Sequence, residues 1–306
     1  MALSAPYGHF RGELSFIGED KYTDYDFALE SNSQLGKYLE VLKREDEGID
    51  RMIDLKSFEK DIEQGLYFES TIPQGFGLGS SGALTAAIYS RYGLNRVWNV
   101  RRLDRQDISL LKADLARLEA YFHGTSSGFD PLSAYLKFPI LVEGSETIKL
   151  VGIPRNRDYG TAGIFLVSSG IPRKTGDLVA RYMTRCKEDP FFYKRLMEDY
   201  IPMNNDCITA IIDGNIRDFI RGLVAISVFQ LQEFSPMIPE SLKPLWKSGI
   251  DSKEYYLKLC GAGGGGYLLG FAKDINTALQ KFAEKGFDTV TVYRSSQERI
   301  RPGNNE

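Results

Sequence analysis

Histidine is almost missing from this chain: His9 and His123 are the only two in 306 residues, so no metal site built from several imidazoles can form. Cysteine is also scarce. Cys186, Cys207 and Cys260 are odd in number and far apart, which suits reduced, structural thiols and excludes a disulfide framework. No basic excess exists either, because 38 Lys and Arg stand against 41 Asp and Glu for a net charge of −3. With a pI near 5.7 the chain offers no cationic stripe for phosphate backbones, and no nucleic-acid partner is expected. No early segment has the basic start, apolar middle and small-residue end of a secretory signal, and no run approaches a membrane span. The expected location is the cytoplasm, without a membrane partner. Finally, no Gly-Lys-[Ser/Thr] follows any glycine run, and no His-Arg-Asp or Asp-Phe-Gly occurs. Those absences exclude the phosphate-loop NTPases and the protein kinases.

What the chain does contain is glycine in two dense places. The first, Thr71 to Ala87, sets Gly75, Gly77, Gly79 and Gly82 ahead of an Ala/Leu-rich run of helical character. Such glycines let successive N–H groups converge, and the first turn of the helix adds unpaired N–H groups and the positive end of its dipole. The combination is a phosphate cradle. The bare pattern G-x-G-x-x-G is weak evidence, since Gly77 to Gly82 and Gly261 to Gly266 both satisfy it. A dinucleotide fold needs a strand leading directly into the glycines and an acid about twenty residues on. Here Pro73-Gln-Gly precedes the loop, and the candidate acid Asp104 lies in a helix-like region. The plain alternative is a glycine loop that caps a helix and binds nothing.

At 42% apolar and 26% charged, the chain is globular in composition and long enough for two domains. Strand-like alternation runs over residues 7–17, a short helix is predicted at Ser33 to Lys43, and Leu66 to Ser70 reads as a strand entering the glycine loop. From Asp107 to Phe122 the residues Ile108, Leu111, Leu115, Leu118 and Phe122 share one helical face, with Glu119 at its margin as a partly exposed carboxylate. A small-residue loop, His123 to Asp130, follows. Strands are predicted at Ile140 to Glu143 and Thr147 to Val151, and a domain boundary near Pro154 to Gly160, giving domains 1–156 and 157–306.

The second half reads as a strand at Ala162 to Ser168, then helices at Asp177 to Lys187, Phe191 to Asn215 with an interruption at Pro202, and Ile216 to Gln232. Strands at Tyr255 to Leu259 and Tyr267 to Ala272 flank the second glycine run, before a helix at Ile275 to Lys285 and a strand at Thr289 to Tyr293. That order describes a ferredoxin-like α+β layer.

Pro73-x-x-x-Gly77-Leu-Gly79-Ser80-Ser81-Gly82-Ala83 resembles the central motif of the GHMP small-molecule kinases. Within that superfamily the details are most similar to the mevalonate kinases. His123-Gly-x-x-Ser-Gly-x-Asp130, Pro172-Arg173-x-Thr175 and Lys258-Leu-Cys-Gly-Ala-Gly-Gly-Gly-Gly266 resemble three further segments of that family, in its order and approximate spacing. The resemblance implies a two-domain α+β fold: an N-terminal ribosomal-protein-like domain, a C-terminal ferredoxin-like domain and an active site between them. It implies that Gly75, Gly77, Leu78, Gly79, Ser80, Ser81, Gly82 and Ala83 wrap the phosphates of ATP, and that Ser81 and Glu119 hold Mg²⁺. Asp130 would face the acceptor hydroxyl as the catalytic residue. His123, Arg173, Thr175, Ala262 and Gly263 would lie near the acceptor. The implied reaction moves the γ-phosphate of ATP to a primary alcohol, most simply that of mevalonate.

The residue types suit that chemistry independently. Phosphoryl transfer needs charge neutralised on the phosphates and an acceptor hydroxyl placed in line. Mg²⁺ takes hard oxygen ligands and keeps several waters, so one hydroxyl and one carboxylate suffice beside the phosphates. Asp130 either takes the hydroxyl proton or orients it, and as a plain alternative it caps the helix that starts at Pro131.

The sequence departs from the family in two places. GHMP kinases open with a strand and a K-x-x-L-x-G-E-H-like motif that supplies a lysine, whereas Ala2-Leu-Ser-Ala-Pro-Tyr resembles the segment that follows that motif. Loss of such a cation costs on the order of 10² to 10³ in rate, by analogy with one preorganised donor. Tyr267 stands where a small residue or Cys is common. The partners on this reading are ATP and a small hydroxy acid or other small alcohol, with a homodimer left open. The competing readings are a kinase for phosphomevalonate, homoserine or a sugar, and a non-catalytic nucleotide- or metabolite-binding regulator.

Overall fold

The structure is a computed structural model that describes residues 1–4, 12–18, 24–44, 48–72, 75–97, 99–144, 147–152, 160–172 and 175–295, without the side chains of residues 4, 101, 123 and 175. The chain divides into two compact units, one of Met1–Gln74 with Leu78–Gly152 and the other of Gly75–Gly77 with Ile153–Glu306.

In chain order the first unit comprises β1 (Ala2–Ser4), β2 (Gly12–Phe16), α1 (Tyr25–Arg44), α2 (Leu55–Glu63), β3 (Leu66–Ser70), α3 (Ser80–Tyr92), α4 (Arg105–His123), α5 (Phe129–Leu136), β4 (Ile140–Glu143) and β5 (Thr147–Leu150). β1, β4 and β5 form an antiparallel sheet with Leu3 opposite Leu141 and Val142 opposite Ile148. β2 and β3 form a separate antiparallel pair, Leu14 opposite Phe68. α4 starts at an N-cap, Asp104, whose carboxylate accepts the N–H of Asp107, while the Asp107 carboxylate accepts the Asp104 N–H. This reciprocal box satisfies two orphan donors of the first turn. From there the predicted stripe Ile108, Leu111, Leu115 and Leu118 runs into a core shared with Tyr38, Leu39, Ile88, Tyr89 and Leu132. The buried Tyr38 hydroxyl donates to the Leu118 carbonyl at 2.9 Å, so α1 is fastened to α4 as well as packed on it.

The second unit comprises β6 (Gly163–Ser168), α6 (Thr175–Glu188), α7 (Pro190–Arg195), α8 (Ile201–Ile212), α9 (Ile216–Glu233), α10 (Lys243–Ser252), β7 (Tyr255–Leu259), β8 (Tyr267–Ala272), α11 (Ile275–Glu284) and β9 (Thr289–Arg294). Its antiparallel sheet has the order β7-β8-β6-β9, so the first and third strands of the unit lie in the centre, with the helical connections of a ferredoxin-like layer. Trp246 is fully buried, and its indole N–H is shared between Ser227 Oγ at 2.9 Å and the Ser227 carbonyl at 3.1 Å. Buried Gln230 accepts the Leu259 N–H at 2.8 Å and donates to the Tyr200 hydroxyl at 2.8 Å, joining α9 to the sheet and to the turn before α8.

The structure corrects several sequence expectations. The first helix is longer than Ser33 to Lys43 because Asp24 starts it upstream, its carboxylate accepting the N–H groups of Asp26 and Phe27. The short helices α2 and α10 carry too few apolar residues to stand out as periodic stretches. Pro202 does not break the helical run. It sits in the first turn of α8, and the chain passes from α7 to α8 through a π-type turn, Leu196–Tyr200, in which the Ile201 N–H reaches the Leu196 carbonyl. Proline has no N–H and crowds the preceding turn, and a wide turn accommodates both. Of the strand expected over residues 7–17, β2 covers Gly12–Phe16; residues 7–11 and most of the predicted boundary near Pro154 lie outside the described residues.

Candidate functional site

The glycines after β3 lead to α3 through Gly79, its N-cap residue, whose φ of 73° lies in the left-handed region. Gly79 brings no side chain, so the N-cap residue itself places no side-chain cap on the first turn formed by Ser80, Ser81, Gly82 and Ala83. That turn is the anion-receptive end of the helix dipole. Against the same end lies the start of α5. A Cβ placed on Gly79 would stand 3.4 Å from the Cβ, Cγ and Oδ2 of Asp130, and one on Gly82 would stand 2.9 Å from the Asp130 Cβ and 2.8 Å from the Pro131 nitrogen. The Asp130 side chain therefore lies beside the N-terminus of α3, and it is solvent-exposed.

Asp130 is not the cap of its helix. Gly128 holds that position with φ 73°, and Asp130 sits inside the first turn. Gly128 is required there twice, since any Cβ would come within 2.4 Å of the Lys112 carbonyl on α4.

Glu119 is also placed differently from expectation: it is buried, with 5% of its surface exposed, rather than sitting half out at the margin of α4. Its carboxylate takes two hydroxyl hydrogen bonds. Ser81 Oγ donates to Oε1 at 2.9 Å, and Ser126 Oγ donates to Oε2. Among the described residues Glu119 makes no ion pair. A buried carboxylate is costly unless a cation or several donors compensate it.

The donor set fits Mg²⁺ on two counts. The Ser81 Oγ to Glu119 Oε1 separation of 2.9 Å matches the edge of an octahedron with metal–oxygen bonds of about 2.1 Å, roughly 3.0 Å. Both donors are hard oxygens. Among the described residues no group of three or more His, Cys, Asp or Glu could form a self-sufficient metal cluster, so this site would need phosphate oxygens to complete it. One turn along α3 from Ser81, Thr85 Oγ1 is buried and has no hydrogen-bond partner among the described residues.

In the second unit, the segment Gly75 to Gly77 and the second glycine run are built around each other. The Gly266 N–H donates to the Ile171 carbonyl at 2.7 Å, and the Gly264 N–H to the Met237 carbonyl at 2.7 Å. A Cβ on Gly266 would meet the Phe76 carbonyl oxygen at 2.2 Å, and one on Gly265 the carbonyl oxygens of Ile171 and Pro172 at 2.7 Å. The Tyr267 ring packs on Phe76 with centroids 5.9 Å apart. Ala262 and Gly263 lie within this run. Thr175 is the first residue of α6 and His123 the last of α4; Arg173 lies outside the described residues.

Sequence reasoning missed Ser126. The H-G-x-x-S-G-x-D pattern marks Ser127, whose hydroxyl accepts a long 3.5 Å contact from the Phe129 N–H. Ser126 occupies an unspecified position of that pattern, so no sequence signal singled it out.

Residues 38–137 match the family model for the GHMP kinases N terminal domain. Mevalonate kinase of Candida albicans (strain SC5314 / ATCC MYA-2876) is 24% identical over 252 residues, which cover 72% of this chain and 56% of that protein. The chain thus spans little more than half the length of that curated relative. The crystal structure of L. major mevalonate kinase in complex with R-mevalonate superposes with a TM-score of 0.57 at 17% identity, over 89% of this chain and 78% of that one. Streptococcus pneumoniae phosphomevalonate kinase does so with a TM-score of 0.53 at 14% identity, over 93% and 89%. Residues 38–137 thus resemble the N-terminal domain of the GHMP kinases, and the two-domain α+β fold is the one these solved structures share. Its curated relative is a mevalonate kinase, and its structural neighbours are mevalonate kinases and other members of that superfamily. Among the described residues no helix is long and apolar enough to cross a membrane.

Proposed function

We propose that this chain transfers the γ-phosphate of ATP to a primary alcohol of a small hydroxy acid, with mevalonate as acceptor and 5-phosphomevalonate as product. The observation that carries the reading is the convergence at one helix end: Ser81 and the buried Glu119 present two oxygens 2.9 Å apart, and Asp130 lies beside Gly79 at the same N-terminus. The similarity to a mevalonate kinase favours mevalonate over the other GHMP acceptors.

On this reading the N–H groups that open α3 hold the phosphates of ATP, and Ser81 with Glu119 holds Mg²⁺. When bound, that ion supplies charge neutralisation on the β- and γ-phosphates. Asp130 accepts a hydrogen bond from the acceptor hydroxyl and orients its oxygen toward the γ-phosphorus. As that oxygen bonds to phosphorus, the bond to the bridging oxygen of ADP breaks, and the hydroxyl proton leaves to Asp130 or through it to solvent. Asp130 suits this role because it is an exposed carboxylate on a rigid first turn. His123, Arg173, Thr175, Ala262 and Gly263 are the proposed acceptor contacts.

A coupled assay of ADP release with mevalonate, phosphomevalonate, homoserine and galactose tests the proposal, alongside calorimetry with ATP and Mg²⁺. The expected result is turnover with mevalonate, nearly abolished in Asp130→Asn while ATP affinity stays close to that of the unsubstituted chain. Turnover of a different acceptor alone would replace mevalonate. ATP binding without phosphate transfer to any of them would overturn the catalytic part, and wild-type turnover in Asp130→Asn would remove that residue from the mechanism.

A further inference from the structure

The hydroxyl of Ser126 has only one hydrogen, and the structure determines where it goes. Ser126 Oγ accepts the N–H of Gly128 at 2.9 Å, and a backbone N–H can only donate. The Ser126 hydrogen is therefore free for its other partner, Oε2 of Glu119, which as a carboxylate can only accept. A single hydroxyl thus links the buried carboxylate of α4 to the N-cap of α5. The far side of the carboxylate is held by Ser81 on α3. The far side of the cap is held by close packing on the Lys112 carbonyl, and Phe129, the next residue, lies under the Lys112 ammonium at 4.5 Å from its ring centroid. Asp130 follows in the same turn.

Resting on the kinase reading above, we propose that Ser126 is a positioning residue that sets the Glu119 carboxylate for divalent metal and ties that setting to the helix turn carrying Asp130. Two lone-pair regions of the carboxylate are used by hydroxyl donors, one on each oxygen, which fixes the rotation of the carboxyl plane. Without the Ser126 hydroxyl, Oε2 loses its donor in a buried place, and the plane is free to turn away from the Ser81 side. The Gly128 N–H loses its acceptor in the same change, so the first turn of α5 loosens with it. Partners of this kind, one bond removed from a metal, change metal affinity by about 10- to 100-fold when removed.

The test uses the full chain and the variants Ser126→Ala and Ser126→Thr, with Mg²⁺ and ADP as probes. ADP binding is titrated by calorimetry across a series of Mg²⁺ concentrations, and Mn²⁺ binding in the presence of ADP is followed by electron paramagnetic resonance. Ser126→Ala is expected to need about 10- to 100-fold more metal for the same ADP affinity, with its metal-free ADP affinity unchanged. Ser126→Thr, which keeps the hydroxyl, is expected to return the metal requirement to within a few-fold of the unsubstituted chain. Should Ser126→Ala fail to fold, Ser126→Cys, with a weak S–H donor in the same place, takes over the same expectation. An unchanged metal requirement in the hydroxyl-deleted variant, or a Thr variant as impaired as Ala, overturns the inference and leaves the kinase reading intact. Absence of Mg²⁺-dependent ADP binding in the unsubstituted chain overturns the kinase reading and this inference with it.

Discussion

Gly82 owes its place to the side chain it lacks. Its position in α3 is helical, where alanine would be preferred by roughly 0.8–1.0 kcal/mol on propensity alone. Yet a methyl group there would press on the Pro131 nitrogen at 2.8 Å and on the Asp130 carbonyl carbon at 2.9 Å, both backbone atoms of the facing helix. Backbone cannot rotate aside as a flexible side chain does, and overpacking of this kind costs about 1–3 kcal/mol. The steric term outweighs propensity, so Gly82→Ala is expected to lower the melting temperature and to displace the start of α5. Because the displaced turn carries Asp130, kcat should fall by a larger factor than ADP affinity; equal losses in both would show that the clash is absorbed in α3 instead. Thr85 makes the opposite case. Its buried hydroxyl has no partner among the described residues, and an unpaired buried hydroxyl costs about 1–3 kcal/mol. Thr85→Val keeps the shape and removes the orphan, so denaturant unfolding should show a gain of about 1 kcal/mol. A loss would mean that the hydroxyl is satisfied in solution.

Among the elements, several helices begin on an aspartate whose carboxylate is stabilised by the turn it caps. Asp54 accepts the Ser57 hydroxyl at 2.6 Å and the Ser57 N–H at 3.1 Å, and Asp274 accepts the Thr277 hydroxyl at 2.7 Å and the Asn276 N–H at 3.1 Å. The side-chain hydrogen bonds from Ser57 and from Thr277 are the main causes that hold these carboxylates below their ordinary value of 3.8. Glu254 is held below its ordinary value of 4.5 first by its hydrogen bond from Lys281 and then by one from Ser252. A depressed carboxylate contributes stability above its unfolded pKa and loses it as pH falls through the lower folded value. Asp114 acts in reverse: burial raises it, so protonation relieves it on acidification. With three groups against one, thermal stability should hold from about pH 7 to about pH 5 and fall below about pH 4. Melting curves across that range check the expectation, and the double variant Asp54→Asn, Asp274→Asn should flatten the acid limb. A melting temperature that climbs toward pH 3 would contradict it.

Across the whole molecule, each unit has a core of its own. The first gathers α1 to α5 around Tyr38, Tyr89, Leu115 and Leu118, and the second packs α9, α10 and α11 on its sheet around Phe165, Trp246, Tyr255 and Phe282. The second unit also carries a polar junction at its surface, in which Arg185 and Arg195 both reach the partly buried Glu233, the last residue of α9, while Arg185 lies 3.8 Å from the centroid of the Phe192 ring. The pairing ties α6 and α7 to the end of α9. The motifs that carried the family resemblance are likewise distributed between units: Ser80 to Ala83, Glu119 and Asp130 in the first, Gly75 to Gly77 and Gly261 to Gly266 in the second.

Much of this was legible from local pattern. β3, β4, β7 and β8 have the limits predicted for them, because each is a short run rich in apolar and aromatic residues with a glycine or proline close to one end. α4 was legible because its apolar stripe is long; its first residue is Arg105 rather than the predicted Asp107, because the capping box on Asp104 sets the start. α2 and α10 were not, since short helices take their stability from packing partners distant in sequence. The same division holds at the candidate site. The sequence by itself determined that a glycine turn opens α3 and that a serine, a glutamate and an aspartate accompany it, because backbone freedom and side-chain chemistry are properties of residues. Only the tertiary structure decided that Glu119 is buried between two hydroxyls, that Ser126 rather than Ser127 is one of them, and that Asp130 meets the α3 N-terminus. Those facts depend on how closely α3, α4 and α5 approach, and that distance is set by groups far apart along the chain.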